Sequence, residues 1–439
     1  MGAALWGAGG GVGHAIADGG REAATSSMQL LRVKGGGVST IYVDNTAALN
    51  AAIKSAKDGD VIKLAPGLYE GLSVKGGVSF QTSLTITSAD PSKPAVLTDF
   101  RLVNVTGLTF RDLEFAASSS VETKGDAHWA FSFVNARNIH FDKVYVHGSL
   151  DGDPSNDVQG INIRRGSNIT VTDCEFEQLE RGMAIGSVDH IRIERNYIHD
   201  LRSDGMDFAE VSFVEVRANV FTNFRPIGKD HPDAIQFWTS GTKEISHDIL
   251  VTGNAILRGD GGYTQGIFFR DQTKEMPFER VTISDNLLVN TGYNAIRVNG
   301  VKDLALTNNT LVSAAGENKT WLRISSGDGV IAHGNRGAII DFDDNVINLT
   351  TKNNTITRVV SDLGVAATKD WLEAHPDMAA RVSVHVLKTP PSTVSYNDPV
   401  LDGSVVTVSN DDPWEDFDAA DDPFFDGSTL FAGFDYSIV

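Results

Sequence analysis

The chain has 439 residues, 41% of them hydrophobic, with 13 prolines, which is enough for one large core or several stacked small ones. No apolar run approaches the roughly 20 residues that a membrane-spanning helix needs, and a net charge of −20 argues against a nucleic-acid partner held by phosphate contacts. Cys174 is the only cysteine, so an intramolecular disulfide is excluded; its place in a strand pattern predicts a buried, inert thiol.

Residues 1–37 are rich in Gly and Ala and show only short helical patterning. They read as an N-terminal arm or attachment segment, and they lack the basic and continuous apolar stretches of a secretory signal. The next stretch predicts a helix from about Thr46 to Ala56 with Asn45 as its N-cap, then a Lys-Asp-Gly-Asp turn and a strand from Val61 to Leu64. An amphipathic helix laid over a first strand caps the open end of a stack and prevents edge pairing.

From about Ser83 a strand pattern repeats: LTFRDLEF, IHFDKVYV, ITVTDCEF, IRIERNYI, VEVRANVF, ILVTGNAI, VTISDNLLV and LALTNNTLV. Aligned on the sixth residue, the markers are Leu113, Val144, Cys174, Asn196, Asn219, Asn254, Asn286 and Asn309, spaced by 31, 30, 22, 23, 35, 32 and 23 residues. Short alternating strands at a period of at least 22 residues with insertions predict a solenoid whose turns stack on one another. The fold class expected is all-β, a single-stranded right-handed parallel β-helix with an N-terminal capping helix, over residues 38–358. The five marker asparagines read as a structural ladder, because Asn tolerates left-handed backbone and reaches its equivalent about 4.8 Å along the stack. Residues 359–439 form a C-terminal region, either a cap, an oligomerisation element or a small separate domain. It opens with a helix and strand in TKDWLEAHPDMAARVSV and ends in an acidic run with eight carboxylates between Asp411 and Asp426, which reads as a solvated tail or as a calcium or docking strip.

Within the repeat, SDGMDFA (Ser203 to Ala209), PDAIQFW (Pro232 to Trp238), TQGIFFR (Thr264 to Arg270) and YNAIRVN (Tyr293 to Asn299) superpose residue for residue. Each has apolar side chains at alternate positions, so the residues between them point outward. Stacking them places Asp204, Asp233 and Gln265 in one column, with Gln159, Arg181 and Asn294. Small residues such as Gly205 and Gly266 fill a second column, which would leave the backbone open to close approach. Asp207, Gln236, Phe268 and Arg297 fall in a third, and Trp238 and Arg270 in a fourth. Carboxylates, amides, guanidinium groups and an aromatic ring converging on one wall suit a sugar chain, whose hydroxyls need polar partners and whose ring face stacks on an aromatic. Asp204 and Asp233 on neighbouring turns raise one another's proton affinity, so one stays an acid while the other is ionised, as glycoside hydrolysis requires. Asp207 is placed to activate water or orient substrate. The same aspartates also suit turns in which a carboxylate satisfies backbone amides.

The order SDGMDF, PDAIQF, TQGIFF and NAIRVN resembles the four successive motifs of polygalacturonase-type β-helix glycosidases. That resemblance implies Asp204 and Asp233 as catalytic carboxylates and Arg297 as a substrate contact; Asp207 is the third catalytic candidate from its place in the columns. The chain departs from the pattern where Pro232 stands for an aspartate, Gln265 for a histidine and Asn299 for a lysine; His231 lies close to the missing aspartate and reads equally as a loop residue. Gln236, Trp238, Gln265 and Arg270 complete the expected substrate-binding set. The capping stretch DGDVIKLAPGLYEGLSVKG is similar to the start of alginate-lyase and chondroitinase-type β-helices; lyases of that kind need a Lys or Arg base and a neutraliser for the uronate carboxyl, often calcium, and Arg270 with Arg297, beside Asp271, would fill those roles. The arm, body and C-terminal region together resemble trimeric bacteriophage tailspikes. The expected partner is therefore a bacterial surface or extracellular polysaccharide, cleaved by hydrolysis, with lyase action or glycan binding without cleavage as alternatives. The expected setting is extracellular or virion-associated, as a homotrimer attached through the N-terminal arm, with no membrane insertion and no required cofactor.

Overall fold

A computed structural model describes residues 31–35, 37–118, 129–317, 319–379 and 381–382. One coil shows how the repeat is built. Met206, Asp207, Phe208 and Ala209 pair in parallel with Met183–Gly186 on the preceding coil. Glu210 and Phe213, at φ 52 and 54, then turn the chain. Val214–Arg217 runs parallel to Ile249–Thr252 of the following coil, and Val220–Thr222 runs parallel to Ala255–Leu257. The coils of the body thus have three strand faces, the first two within an 18-stranded sheet and the third in a 12-stranded one. Side chains at alternate positions meet inside, where Phe208, Phe237 and Phe269 stack at 4.6 and 4.3 Å between ring centroids. Stacking like on like fills each layer to the width of the next. The expected parallel β-helix is what the chain forms.

The N-terminal end is closed as the sequence predicts. The helix Thr46–Ser55 is capped by Asn45, whose side chain accepts from Ala48 N at 2.9 Å, and it buries Ala48, Leu49, Ala52 and Ile53. The strand Leu31–Gly35 pairs antiparallel with Val38–Val43, across the boundary expected at 37/38; the rest of the expected arm lies outside the described residues.

The asparagine ladder is present and longer than the sequence suggested. Asn196, Asn219, Asn254, Asn286 and Asn309 are fully buried, and each Oδ1 accepts the backbone N–H of the ladder residue one coil earlier, at 2.9 to 3.2 Å. Asn335 and Asn354 continue it. Cys174 occupies the same position: its Sγ accepts from Val144 N at 3.4 Å, and burial pushes its thiol up to about 12. One expectation is corrected here. The left-handed residue is the one before each ladder position, such as Arg195 (φ 57), Ala218 (φ 54) and Asp285 (φ 56). That residue makes the corner, which frees the asparagine to reach between coils.

The described part of the C-terminal region, up to residue 382, packs along the side of the coil stack. The helix Val365–Ala374 returns along the third face, where Trp371, Met378 and Val382 pack on Val220, Leu257 and Val289. Trp371 Nε1 donates to Asp285 O at 2.9 Å, and further on Arg381 Nη2 meets Asp173 at 2.6 Å, so the segment travels back toward earlier coils. Where a strand was expected after this helix, Arg381 and Val382 are helical; the residues that follow, with the acidic run, lie outside the described residues. Among the described residues no helix is long and apolar enough to cross a membrane.

Candidate functional site

The strand register assembles the expected columns on the first face. Asp207 lies beside Gln236, Gln236 beside Phe268, and Phe268 beside Arg297. Asp233 pairs with Gln265, and Trp238 with Arg270. Because Met206 and Phe208 point into the core, Asp207 between them must point out. The catalytic and binding candidates therefore share one wall, although they are as much as 93 residues apart in sequence (Asp204 to Arg297).

The carboxylates form a compact cluster. Arg181 Nε stands 3.1 Å from Asp204 Oδ2 and 3.9 Å from Asp207 Oδ2. Asp204 Oδ1 accepts the backbone N–H of Asp233 at 2.9 Å, so the turn role of Asp204 is realised alongside its ion pair. Gln236 Nε2 donates to Asp233 Oδ2 at 2.7 Å, and His231 Nδ1 lies 3.9 Å from the same oxygen. Among the described residues, neither oxygen of Asp207 accepts a hydrogen bond. The wall faces outward but is nearly sealed: Asp204 and Asp207 are 2% exposed and Asp233 is 0% exposed. Trp238 packs with Trp129, Ala184 and Ala209 in a small apolar cluster outside the coil.

Burial is the main cause that holds Asp207 and Asp233 well above the usual carboxylate range, and the charge of Asp204 pushes both further. Arg181 opposes the shift at Asp207, as does His231 at both. The two acids bind their protons more tightly folded than unfolded. Their contribution to stability is therefore complete below the unfolded value of about 3.9 and is lost as pH rises through the folded values. Asp207→Asn and Asp233→Asn should each lose less stability than the wild type as pH is raised from about 4, read as urea midpoints; parallel pH profiles for variant and wild type would contradict this.

Three features were not assigned from sequence. Arg181 stands in the column of Asp204 one coil earlier, a juxtaposition readable from the alignment, and it is the cation of the cluster. His231 is near Asp233, as its place beside the missing motif aspartate hinted. Asp157, on the turn before Gln159, is pushed up to about 7 by burial and by Asp151, and no periodic signal marks it.

Other readings are corrected. A Cβ at Gly205 would fall 2.5 Å from Ala234 O and 2.9 Å from the Phe221 ring, so the small-residue column serves coil-on-coil contact and not a ligand. Gly205→Ala should cost about 1–3 kcal/mol in denaturant unfolding through overpacking; an unchanged midpoint would show that the coils can part freely. Asp271 accepts from Thr239 Oγ1, Thr273 Oγ1, Lys274 N and Met276 N, so its oxygens are engaged in ordering the loops around it and not in holding a cation. Asp204, Asp207 and Asp233 do not fit a calcium cage either, because the Arg181 guanidinium already lies against two of them.

No match to the chain was found among curated protein sequences. Among solved structures, a lacto-N-biosidase from Eubacterium ramulus is 13% identical, with 72% of this chain and 68% of that chain covered at a TM-score of 0.46. The Streptococcus pneumoniae surface protein and adhesin PfbA is 13% identical, covering 71% of this chain and 96% of its own at 0.43. The Dettilon tailspike protein is 15% identical, covering 69% and 68% at 0.43. Residues 103–256 match the family model described as "Right handed beta helix region", and the stacked three-faced coils on either side of that stretch continue the same right-handed parallel β-helix.

Proposed function

We propose that the first-face wall from Asp204 to Arg297 binds a bacterial surface or extracellular polysaccharide and hydrolyses it. The observation that carries this reading is a cluster of three carboxylates in which burial raises the proton affinity of Asp207 and Asp233 while Asp204 is paired with Arg181. Glycoside hydrolysis needs that division of labour. Asp233 donates its proton to the glycosidic oxygen as the bond to the leaving sugar breaks. Asp204 takes a proton from the water that attacks the sugar carbon, and Asp207 orients that water. Gln236, Trp238, Gln265, Arg270 and Arg297 hold the chain through amide and guanidinium hydrogen bonds and ring stacking. The carboxylates are nearly sealed from solvent, so sugar reaches them only with a local opening of the wall.

The test is a panel of bacterial polysaccharides read for reducing ends and for ultraviolet absorbance together. New reducing ends without absorbance support hydrolysis. Absorbance from an unsaturated uronate would make the protein a lyase, and binding with neither signal would make it a glycan-binding protein without activity. The setting proposed is a homotrimer attached to a virion through its N-terminal arm, supported by the order of Gly/Ala-rich segment, β-helix body and acidic C-terminal region. A monomer in sedimentation of the full chain would remove that setting without touching the site.

A further inference from the structure

A second cluster lies on the third face, away from the carboxylate wall. Glu175 and Glu177 are alternate residues of one strand, so both point outward, and His199 is paired directly with Glu177 on the next coil. His199 Nε2 is 3.1 Å from Glu175 Oε1 and 4.0 Å from Glu177 Oε2. Three donors bound tetrahedrally at metal–ligand distances near 2.1 Å are roughly 3.4 Å apart, and the two separations bracket that value. The histidine is 7% exposed, and its ring is fixed on both sides. Nδ1 faces Asp200 Oδ2 at 2.7 Å, Arg225 Nε donates to the other Asp200 oxygen at 3.0 Å, and the ring stacks on Tyr197 at 4.1 Å. A carboxylate behind the distal nitrogen is the arrangement that sets the tautomer and orientation of a metal-bound histidine.

The neighbouring coils supply an internal contrast. His147 and Glu114 repeat the His199–Glu175 contact, with Nε2 and Oε1 3.0 Å apart, but the position equivalent to Glu177 is Ala116, and His147 Nδ1 faces the Gly148 carbonyl. A His–Glu contact alone thus joins the earlier coils, while Glu177 Oε2 also accepts from Tyr145 Oη at 2.6 Å. The added Glu177, with Asp200 behind the ring, is peculiar to the later pair. Among the described residues, this is the one grouping of three or more His, Cys, Asp and Glu whose ligand atoms all lie within 4.8 Å of one another.

We propose that Glu175, Glu177 and His199 bind one first-row divalent cation of the Zn²⁺ type, with water in the remaining position. One imidazole and two carboxylates suit Zn²⁺, whereas Ca²⁺ calls for six to eight oxygens. The ion ties two adjoining coils together, next to the place where Arg381 contacts Asp173 and so holds the returning C-terminal segment. Nothing in this assignment depends on the sugar chemistry of the first face.

The test is a titration of the chelator-treated full-length protein with Zn²⁺ by calorimetry, paired with visible spectra of the Co²⁺ form. One saturable ion per chain is expected, with binding weakened at least tenfold in His199→Gln and in Glu177→Gln, the Co²⁺ bands lost in His199→Gln, and binding weakened about 10–100-fold in Asp200→Asn. Far-ultraviolet circular dichroism checks that each variant is folded; if His199→Gln is not, Glu177→Gln decides alone. No saturable Zn²⁺ binding, tighter binding of Ca²⁺ than of Zn²⁺, or a folded Glu177→Gln that binds like the wild type would each overturn the site.

Discussion

Asp233→Asn should abolish polysaccharide cleavage while leaving binding measurable, with turnover falling by about 10²–10⁴-fold, the usual worth of a positioned acid. The amide preserves the shape of the carboxyl and its contact with Gln236 Nε2, and the backbone N–H of Asp233 still reaches Asp204 Oδ1. What disappears is the proton that burial and Asp204 keep on Asp233 in a pH range where an ordinary carboxyl has lost it. Substrate affinity should change much less than turnover, because Gln236, Trp238 and Arg297 are untouched. The measurement is reducing-end release at saturating substrate together with a binding titration. Turnover equal to the wild type would remove Asp233 from the mechanism, and loss of binding together with turnover would make it a substrate holder.

Breaking the ladder at its centre should cost more stability than any surface change. Asn254 Oδ1 accepts from both Asn219 N and Asn219 Nδ2 at 3.0 Å, and its Nδ2 donates to Val216 O at 2.9 Å and Asn286 Oδ1 at 3.0 Å. Asn254→Ala leaves the Asn219 N–H and the Val216 carbonyl buried without their partners. At about 1–3 kcal/mol for each orphaned group, the loss is roughly 2–6 kcal/mol. In a stacked repeat this falls on the interface between two coils, so the urea transition should also broaden or split. Asn254→Cys should cost less, since Cys174 already fills the equivalent position and accepts a backbone N–H. Equal losses for the two variants would mean that volume, not hydrogen bonding, sets the cost.

The third face carries a further signal in its sequence. On the third face the outward residues are Glu114, Tyr145, His147, Glu175 and Glu177 in early coils, then Val220, Ala255, Leu257, Leu287 and Val289 in later ones. Strands apolar on both faces announce a cover, and the helix bearing Trp371 supplies it. That change of pattern was visible in VFT, AIL and LLV. The identity of the covering segment was not, because it comes from more than 60 residues beyond the last of those strands, at Val365 and after.

The sequence by itself determined the coil, the cap and the ladder, because each rests on a local regularity: side chains alternating every two residues, an Asn before a helix, a marker returning once per turn. It also placed Asp204, Asp207, Asp233 and Arg297 on one wall, since a solenoid converts sequence period into spatial adjacency. Only the tertiary structure decided that the wall is sealed, that Arg181 answers Asp204, and that the glycine column faces a neighbouring backbone. Those outcomes depend on desolvation and on distances of a few ångströms between coils whose insertions vary in length, and no repeat encodes them.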